Sequence, residues 1–152
     1  MKAIAIASDH GGFVLKEKIK TYLDKRGFQI KDLGTHSSLP CDYPDYSYAL
    51  AAGISAGKYK KGILICKTGI GNTIVANRLP GVRAALCYNL KAVRLSRQHN
   101  DSNVLVLGSL FVKEGLAKKM VAAWLATKFE AGRHLRRLDK IKNIERELRI
   151  NR

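Results

Sequence analysis

The sequence predicts an α/β fold organised around a parallel sheet, and three observations carry that expectation. Short apolar or β-branched runs alternate with longer stretches of helical periodicity along the whole chain. The run Gly-Ile-Leu-Ile-Cys at 62–66 is apolar without alternation, the pattern of a strand covered on both faces. Polar clusters containing glycine follow the first and third runs, where a strand would turn into a helix.

The first strand is expected over residues 2–7 and closes on Ser8-Asp9-His10-Gly11-Gly12. A helix over 13–26 follows, with Phe13, Leu15, Ile19, Tyr22 and Leu23 close to helical spacing and Gly27 as its stop. Residues 28–33 form the second strand, ended by Gly34. Pro40 and Pro44 mark a loop over 35–46, after which an alanine-rich helix runs over 47–56. The third strand, 62–66, opens into Lys67-Thr68-Gly69-Ile70-Gly71 and a helix reaching Arg78. A strand at 82–87, a helix at 90–97 and a fifth strand at 103–107 complete the sheet. A helix over 113–129 and another over 134–150, past Ala131-Gly132, end the pattern. Parallel strands joined by right-handed helical crossovers carry helices on both faces, which makes a three-layer, Rossmann-like sandwich. The chain reads as one domain, 1–152, in which about 132–152 is a C-terminal helical arm with little left to pack on.

At 152 residues, 46% hydrophobic and 26% charged, the chain suits one globular unit whose core needs no metal or disulfide staple. No apolar run approaches the ~20 residues of a membrane span, and Asp9 and His10 interrupt any signal-peptide core; a cytoplasmic protein without a membrane partner is expected. Cys41, Cys66 and Cys87 lack CxxC spacing and are odd in number, which indicates neither a zinc site nor a disulfide framework. Twenty-eight Lys and Arg against 12 Asp and Glu give a formal charge of +16. Such a field favours acidic partners, phosphorylated metabolites among them. The basic residues are interleaved with apolar ones and aromatics make up only 7%, so nucleic acid is not the expected partner.

In an open α/β sheet the ligand crevice lies at the carboxyl ends of the strands. The residues expected there are Asp9 and His10 after the first strand, Cys66 and Thr68 after the third, and His99 before the fifth, with arginines available at 133, 136 and 137. Glycines at 69 and 71 let backbone N–H groups approach an anion at a helix N-terminus, although Gly69-Ile70-Gly71 is neither a P-loop nor a dinucleotide fingerprint. A thiol before a helix N-terminus and beside Lys67 is placed for stabilisation as thiolate. Each residue also has a plain local role. Cys66 could be a buried apolar residue, Thr68 and Asp9 helix caps, His10 a loop histidine with one backbone bond, and His99 a helix C-terminal cation. Their convergence on one rim is what favours a site.

At these positions the sequence resembles the type B ribose-5-phosphate isomerases and their relatives, the galactose-6-phosphate and allose-6-phosphate isomerases. The matching stretches are Ser8-Asp9-His10-Gly11-Gly12-Phe13 with Leu15-Lys16, Asp42-Tyr43-Pro44, Ile65-Cys66 with Thr68-Gly69-Ile70-Gly71, and Ala76-Asn77. Further on come Gly81-Val82-Arg83-Ala84-Ala85, Ser96-Arg97-Gln98-His99-Asn100-Asp101-Ser102-Asn103, and Gly132-Arg133-His134 with Arg137. The resemblance implies an aldose–ketose isomerase that moves a proton between C1 and C2 of an open-chain sugar phosphate through a cis-enediolate, with no metal or organic cofactor. It implies Cys66 as the base, and Thr68 with the N–H groups from Gly69 to Gly71 as holders of the enediolate oxygen. His99 would open the sugar ring, Asp9 and Tyr43 would contact the sugar, and Asn100 would lie near the enediolate. His10, Arg133 and Arg137 would hold the phosphate, the arginines from a neighbouring subunit, so that a homodimer or dimer of dimers is implied.

Two positions depart from the family pattern. Lys67 stands where the family usually has glycine, and Leu110 where it commonly has an arginine on the phosphate. Lys67 could lower the Cys66 pKa, bind the phosphate in place of that arginine, or point to solvent. The expected substrate is ribose 5-phosphate, interconverted with ribulose 5-phosphate in the pentose phosphate pathway. The alternatives are a 6-phosphohexose, allose or galactose 6-phosphate, or a non-catalytic anion- or RNA-binding role. Ionisation of Cys66 is expected to show as a rate rising with pH, with an apparent pKa below the ~8.5 of a free thiol.

Overall fold

The computed structural model describes residues 3–150; Met1, the expected strand start at Lys2, and the arm's last residues Asn151 and Arg152 lie outside the described residues. In chain order the elements are β1 (Ile4–Ser8), α1 (Phe13–Asp24), β2 (Ile30–Asp32), α2 (Tyr43–Ser55), β3 (Gly62–Cys66), α3 (Ile70–Ala76), β4 (Ala84–Leu86), α4 (Leu90–Gln98), β5 (Val104–Gly108), α5 (Glu114–Ala126) and α6 (Arg133–Ile150). The five strands described form one all-parallel sheet of order β2-β1-β3-β5-β4. The three central strands are buried at every position, as their unbroken apolar runs require.

Side chains alternate between the two faces. Ile4, Ile6, Ile63, Ile65, Leu105 and Leu107 share a core with Leu15, Ile19 and Leu23 of α1, Val93 of α4, and Met120, Val121 and Trp124 of α5. Ala5, Ala7, Leu64, Val104 and Val106 meet Leu50, Ala51 and Ile54 of α2 and Ala76 of α3. By the same alternation Cys66, two residues past Leu64, belongs to the α2/α3 face.

Several boundaries differ from the sequence expectation. The α2 helix begins at Tyr43 and not at 47, because Pro44 and Asp45 sit in its first turn. There a missing N–H costs nothing and an acidic side chain favours the helix dipole. The α3 helix stops at Ala76, short of Arg78, because the Asn77 carboxamide leaves the helix to pair with β4. Its Nδ2 donates to the Ala84 carbonyl at 2.9 Å and its Oδ1 accepts the Ala84 N–H at 2.8 Å. The edge strands β2 and β4 shrink to three residues each, since each has a partner on one side only.

A buried ion network ties β2 to α1. Lys16 is fully buried, with Nζ 2.6 Å from Asp32 and 2.7 Å from Glu17, and Lys20 reaches the same Asp32 carboxylate. Burial alone would raise the Asp32 pKa, but hydrogen bonds from Lys16, Lys20 and the Gly34 N–H hold it below the ordinary carboxylate value. The loop so anchored exchanges two backbone bonds with Ser8, N–H to the Gly34 carbonyl at 2.7 Å and Thr35 N–H to the Ser8 carbonyl at 2.6 Å. The residues that follow β1 are thereby fixed.

The arm is only partly packed. His134 and Leu138 are buried and Glu145 accepts the Gly81 N–H at 3.0 and 3.1 Å, whereas Leu135, Ile141, Ile144 and Leu148 are 44–59% exposed. No helix among the described residues is long and apolar enough to cross a membrane.

Candidate active site

From β1 the chain proceeds outward to β2 and then returns across β1 to β3, so the strand order reverses between β1 and β3. A reversal of this kind opens a crevice at the carboxyl ends of the two strands. Asp9 stands at the end of one and Cys66 ends the other. Cys66 is 5% exposed, and its Sγ accepts the Gly69 N–H at 3.1 Å. The N–H groups of Asn72 and Thr68 also point at the sulfur.

The thiol's pKa is nonetheless raised. Burial is the largest cause and the Asp9 charge adds to it, outweighing the three N–H groups. Lys67 is exposed and is not one of the main groups acting on the sulfur. The expectation of a thiol below its ordinary pKa is therefore corrected: its enclosure between the sheet and α3 decides the sign.

Two glycines shape the crevice. Gly69 has φ +82° and precedes α3 in the left-handed region; a Cβ there would lie 2.4 Å from Leu86 Cδ1. A Cβ on Gly71 would lie 2.5 Å from two ring carbons of Tyr43 and 2.9 Å from its hydroxyl. The Tyr43 ring thus packs against the first turn of α3. The plain local roles are also realised. Thr68 Oγ1 accepts the Ile70 N–H at 3.2 Å, Asp9 Oδ1 accepts the Gly12 N–H at 3.0 Å, and His10 Nδ1 lies 3.1 Å from the Cys41 carbonyl and 3.2 Å from its N–H.

Lys67 and Leu110, the two departures, are neighbours. The Leu110 N–H donates to the Lys67 carbonyl at 3.0 Å, and the Lys67 stem lies over Gly11, where a Cβ would be 2.6 Å from its Cγ. Ser109 Oγ also donates to the Gly11 carbonyl at 2.7 Å.

His99 and Asn100 do not share this rim. The α4 helix starts beside the carboxyl end of β4 and runs back, so its C-cap His99 emerges just before β5 begins. Nearby Asn103 donates its N–H to the Arg83 carbonyl at the start of β4 and accepts the Gly62 N–H at the start of β3. Five residues of strand, roughly 15 Å, separate that rim from Cys66. Placing His99 with Cys66 on one rim of a single chain is thus corrected, because the helix of a parallel crossover returns the chain to the amino ends.

A buried polar knot fixes this second group. Arg97 donates to Asp101 at 2.7 Å and to the Ser102 carbonyl at 2.8 Å, Arg83 reaches Asp101 at 3.0 Å, and Trp124 Nε1 donates to Ser102 Oγ at 2.8 Å. His99 lies against the arm, stacked on His134, while Arg133 and Arg137 are exposed on α6. The expected site residues therefore fall into two groups: Asp9, His10, Tyr43, Cys66, Lys67, Thr68, Gly69 and Gly71 on the carboxyl rim, and His99, Asn100, Arg133 and Arg137 away from it.

The sequence reading missed Asn72 and Ser47. Both are buried, and Ser47 Oγ donates to Asn72 Oδ1 at 2.6 Å beneath the turn that presents N–H groups to Cys66. The available signal was a polar residue one helical turn before Ala76 on the buried side of α3. Among the described residues one group of side chains has metal-ligand spacing: His99, His134 and Glu130 have donor atoms within 4.8 Å of one another. The two imidazoles are stacked, however, at 11° between planes, and one ion cannot lie in both of two separated parallel ring planes.

A doubly covered parallel sheet with an enclosed thiol, a carboxylate and helix N-terminal N–H groups at its switch point is an arrangement of the α/β enzyme class, chemically able to handle a proton beside an oxyanion. The family model described as Ribose/Galactose Isomerase matches residues 4–141. The chain is 47% identical over 145 residues to ribose-5-phosphate isomerase B of Escherichia coli, covering 95% of this chain and 97% of that one. Among solved structures it is similar to the Clostridium thermocellum ribose-5-phosphate isomerase B, at TM-score 0.94 and 45% identity, covering 96% and 99% of the two chains. It is also similar to the Mycoplasma genitalium enzyme with bound ribulose-5-phosphate, at TM-score 0.91 and 42% identity, covering 95% and 97%. The chain belongs to the ribose/galactose isomerase family.

Proposed function

We propose that the protein interconverts ribose 5-phosphate and ribulose 5-phosphate in the cytoplasm, within the pentose phosphate pathway. The observation that carries the reading is the Cys66 sulfur at the switch point, facing Asp9 and ringed by the N–H groups of Thr68, Gly69 and Asn72. Bound as an open chain with C2 near this sulfur, the aldose loses its C2 proton to the thiolate. The electrons move onto the C1 oxygen, and the N–H groups of the Gly69–Gly71 turn with Thr68 stabilise the enediolate. Returning the carbon-bound proton to C1, while the C2 hydroxyl proton passes to the C1 oxygen, gives the ketose. Donors preorganised toward a developing oxyanion supply much of such catalysis. Asp9 and Tyr43 hold sugar hydroxyls, and His10, whose Nδ1 is engaged by Cys41, offers Nε2 to the phosphate.

We further propose a homodimer in which His99 and Asn100 of the partner subunit complete each site, with Arg133 and Arg137 of the partner subunit on the phosphate. The separation of the two half-sites within one chain supports this, as does the exposed apolar stripe Ile141, Ile144 and Leu148 on α6. His99 assists ring opening by exchanging a proton with the ring oxygen, a task suited to imidazole.

The test is a coupled assay on ribose 5-phosphate, with allose 6-phosphate and galactose 6-phosphate beside it. The highest kcat/KM on ribose 5-phosphate supports the proposed substrate; a higher value on a hexose phosphate replaces it.

Because the thiolate is the active form and burial favours the thiol, kcat/KM rises about tenfold per pH unit below the Cys66 pKa. The rise is expected to continue past the ~8.5 of a free thiol. A plateau reached below that pH would show that the crevice, once filled, favours the thiolate or that another group is the base. Lys67, beside the position left by the family's arginine, is expected to serve the phosphate. Lys67→Ala then raises KM about tenfold with little change in kcat, the loss of one charge-assisted contact. An unchanged KM would assign Lys67 to solvent.

A further inference from the structure

The rings of His99 and His134 lie face to face, centroids 4.2 Å apart and planes 11° from parallel. His134 is 6% exposed on the first turn of α6, whereas His99 caps α4. The connection between them is stitched at the same place. Glu130 donates its N–H to the Gln98 carbonyl at 3.0 Å, the His134 N–H donates to the Ala131 carbonyl at 3.0 Å, and Glu130 Oε2 lies 3.9 Å from His134 Nε2.

We propose that His134 is a positioning residue for His99, its buried ring holding the His99 imidazole in the orientation that serves ring opening across the subunit boundary, a role that rests on the function proposed above. A ring packed flat on one face cannot swing out of its plane, so His99 keeps its nitrogens aimed in one direction. Orientation matters here because proton exchange with a sugar oxygen requires hydrogen-bond reach, and small displacements of a catalytic group cost rate steeply. Two imidazoles at this distance repel when both are charged. Burial, together with the positive charge of His99, Arg133 and Arg137, pushes the His134 pKa down against the opposing pull of Glu130.

Direction of turnover separates positioning of the ring-opening group from a general structural role. Ribose 5-phosphate is mostly a closed furanose, whereas ribulose 5-phosphate, with its C5 oxygen phosphorylated, is an open chain. Initial rates at saturating concentration of each sugar, kcat in the two directions, are measured for the wild type, His134→Ala, His134→Phe and His99→Ala; the equilibrium constant fixes only the ratio of the two kcat/KM values. His134→Ala is expected to slow conversion of ribose 5-phosphate about tenfold or more and that of ribulose 5-phosphate by less than about twofold. His99→Ala should show the same asymmetry, and His134→Phe, flat and uncharged, should recover most of the forward rate. Equal losses in both directions, no loss, or a phenylalanine variant no better than alanine would overturn the assignment. If His134→Ala does not fold, a near-wild-type His134→Phe supports it and a forward defect in His134→Phe overturns it. A wild type that converts neither sugar sinks the proposed function and this role with it. An active wild type matched by His134→Ala sinks this role alone.

Discussion

Cys66→Ala is expected to lower kcat on ribose 5-phosphate by about three orders of magnitude, within the range that a positioned general base supplies. No other group occupies the same place: the sulfur ends β3, is enclosed, and receives the N–H of Gly69. Cys66→Ser should lose nearly as much, because a hydroxyl in the same cradle stays protonated at pH values where a thiol ionises. Binding of a non-isomerisable sugar-alcohol phosphate, measured by calorimetry, should change little in either variant, since the proposed phosphate and hydroxyl contacts lie on other residues. A residual rate within tenfold of wild type would move the base to Asp9, the carboxylate whose charge reaches the same thiol.

A second large effect is expected from mixing two impaired enzymes and assaying them on ribose 5-phosphate. Cys66→Ala homodimers lack the base and His99→Ala homodimers keep about a tenth of the rate or less, and in the proposed dimer every site takes its thiol from one subunit and its imidazole from the other. Random reassortment makes half the dimers mixed, and each mixed dimer holds one intact site. Co-refolded equimolar chains should therefore recover about a quarter of wild-type activity. Recovery at the level of the separate variants would mean that each site is built from one chain. The stripe on α6 and the 15 Å estimate between rims would then need another explanation.

Much of the fold was legible because the central strands have no alternation to misread. The runs at 62–66 and 103–107 are apolar on both faces, and the observed β3 and β5 match them to within a residue. Pro44 misled because it reads as a loop residue, although the first turn of a helix accepts it. The thiol, Thr68 and Asp9 were legible from their place after strands. His99 was assigned to the wrong rim because adjacency in sequence to β5 says nothing about which end of the strand is meant. The sign of the Cys66 shift depends on enclosure by α3 and the nearness of Asp9, and the pairing of Ser47 with Asn72 depends on α2 meeting α3. Both are properties of packing between segments far apart in the chain.

Trp124 is the chain's single tryptophan, fully buried, and its indole N–H is held by Ser102 within the knot that carries His99 and Asn100. The molecule therefore contains its own optical gauge. Emission from this indole stays blue while the α4–β5 corner is dry and shifts red once water enters, whatever the sugar in the cuvette. A variant that loses turnover with unchanged emission has lost chemistry; one that loses both has lost the platform on which the imidazole stands.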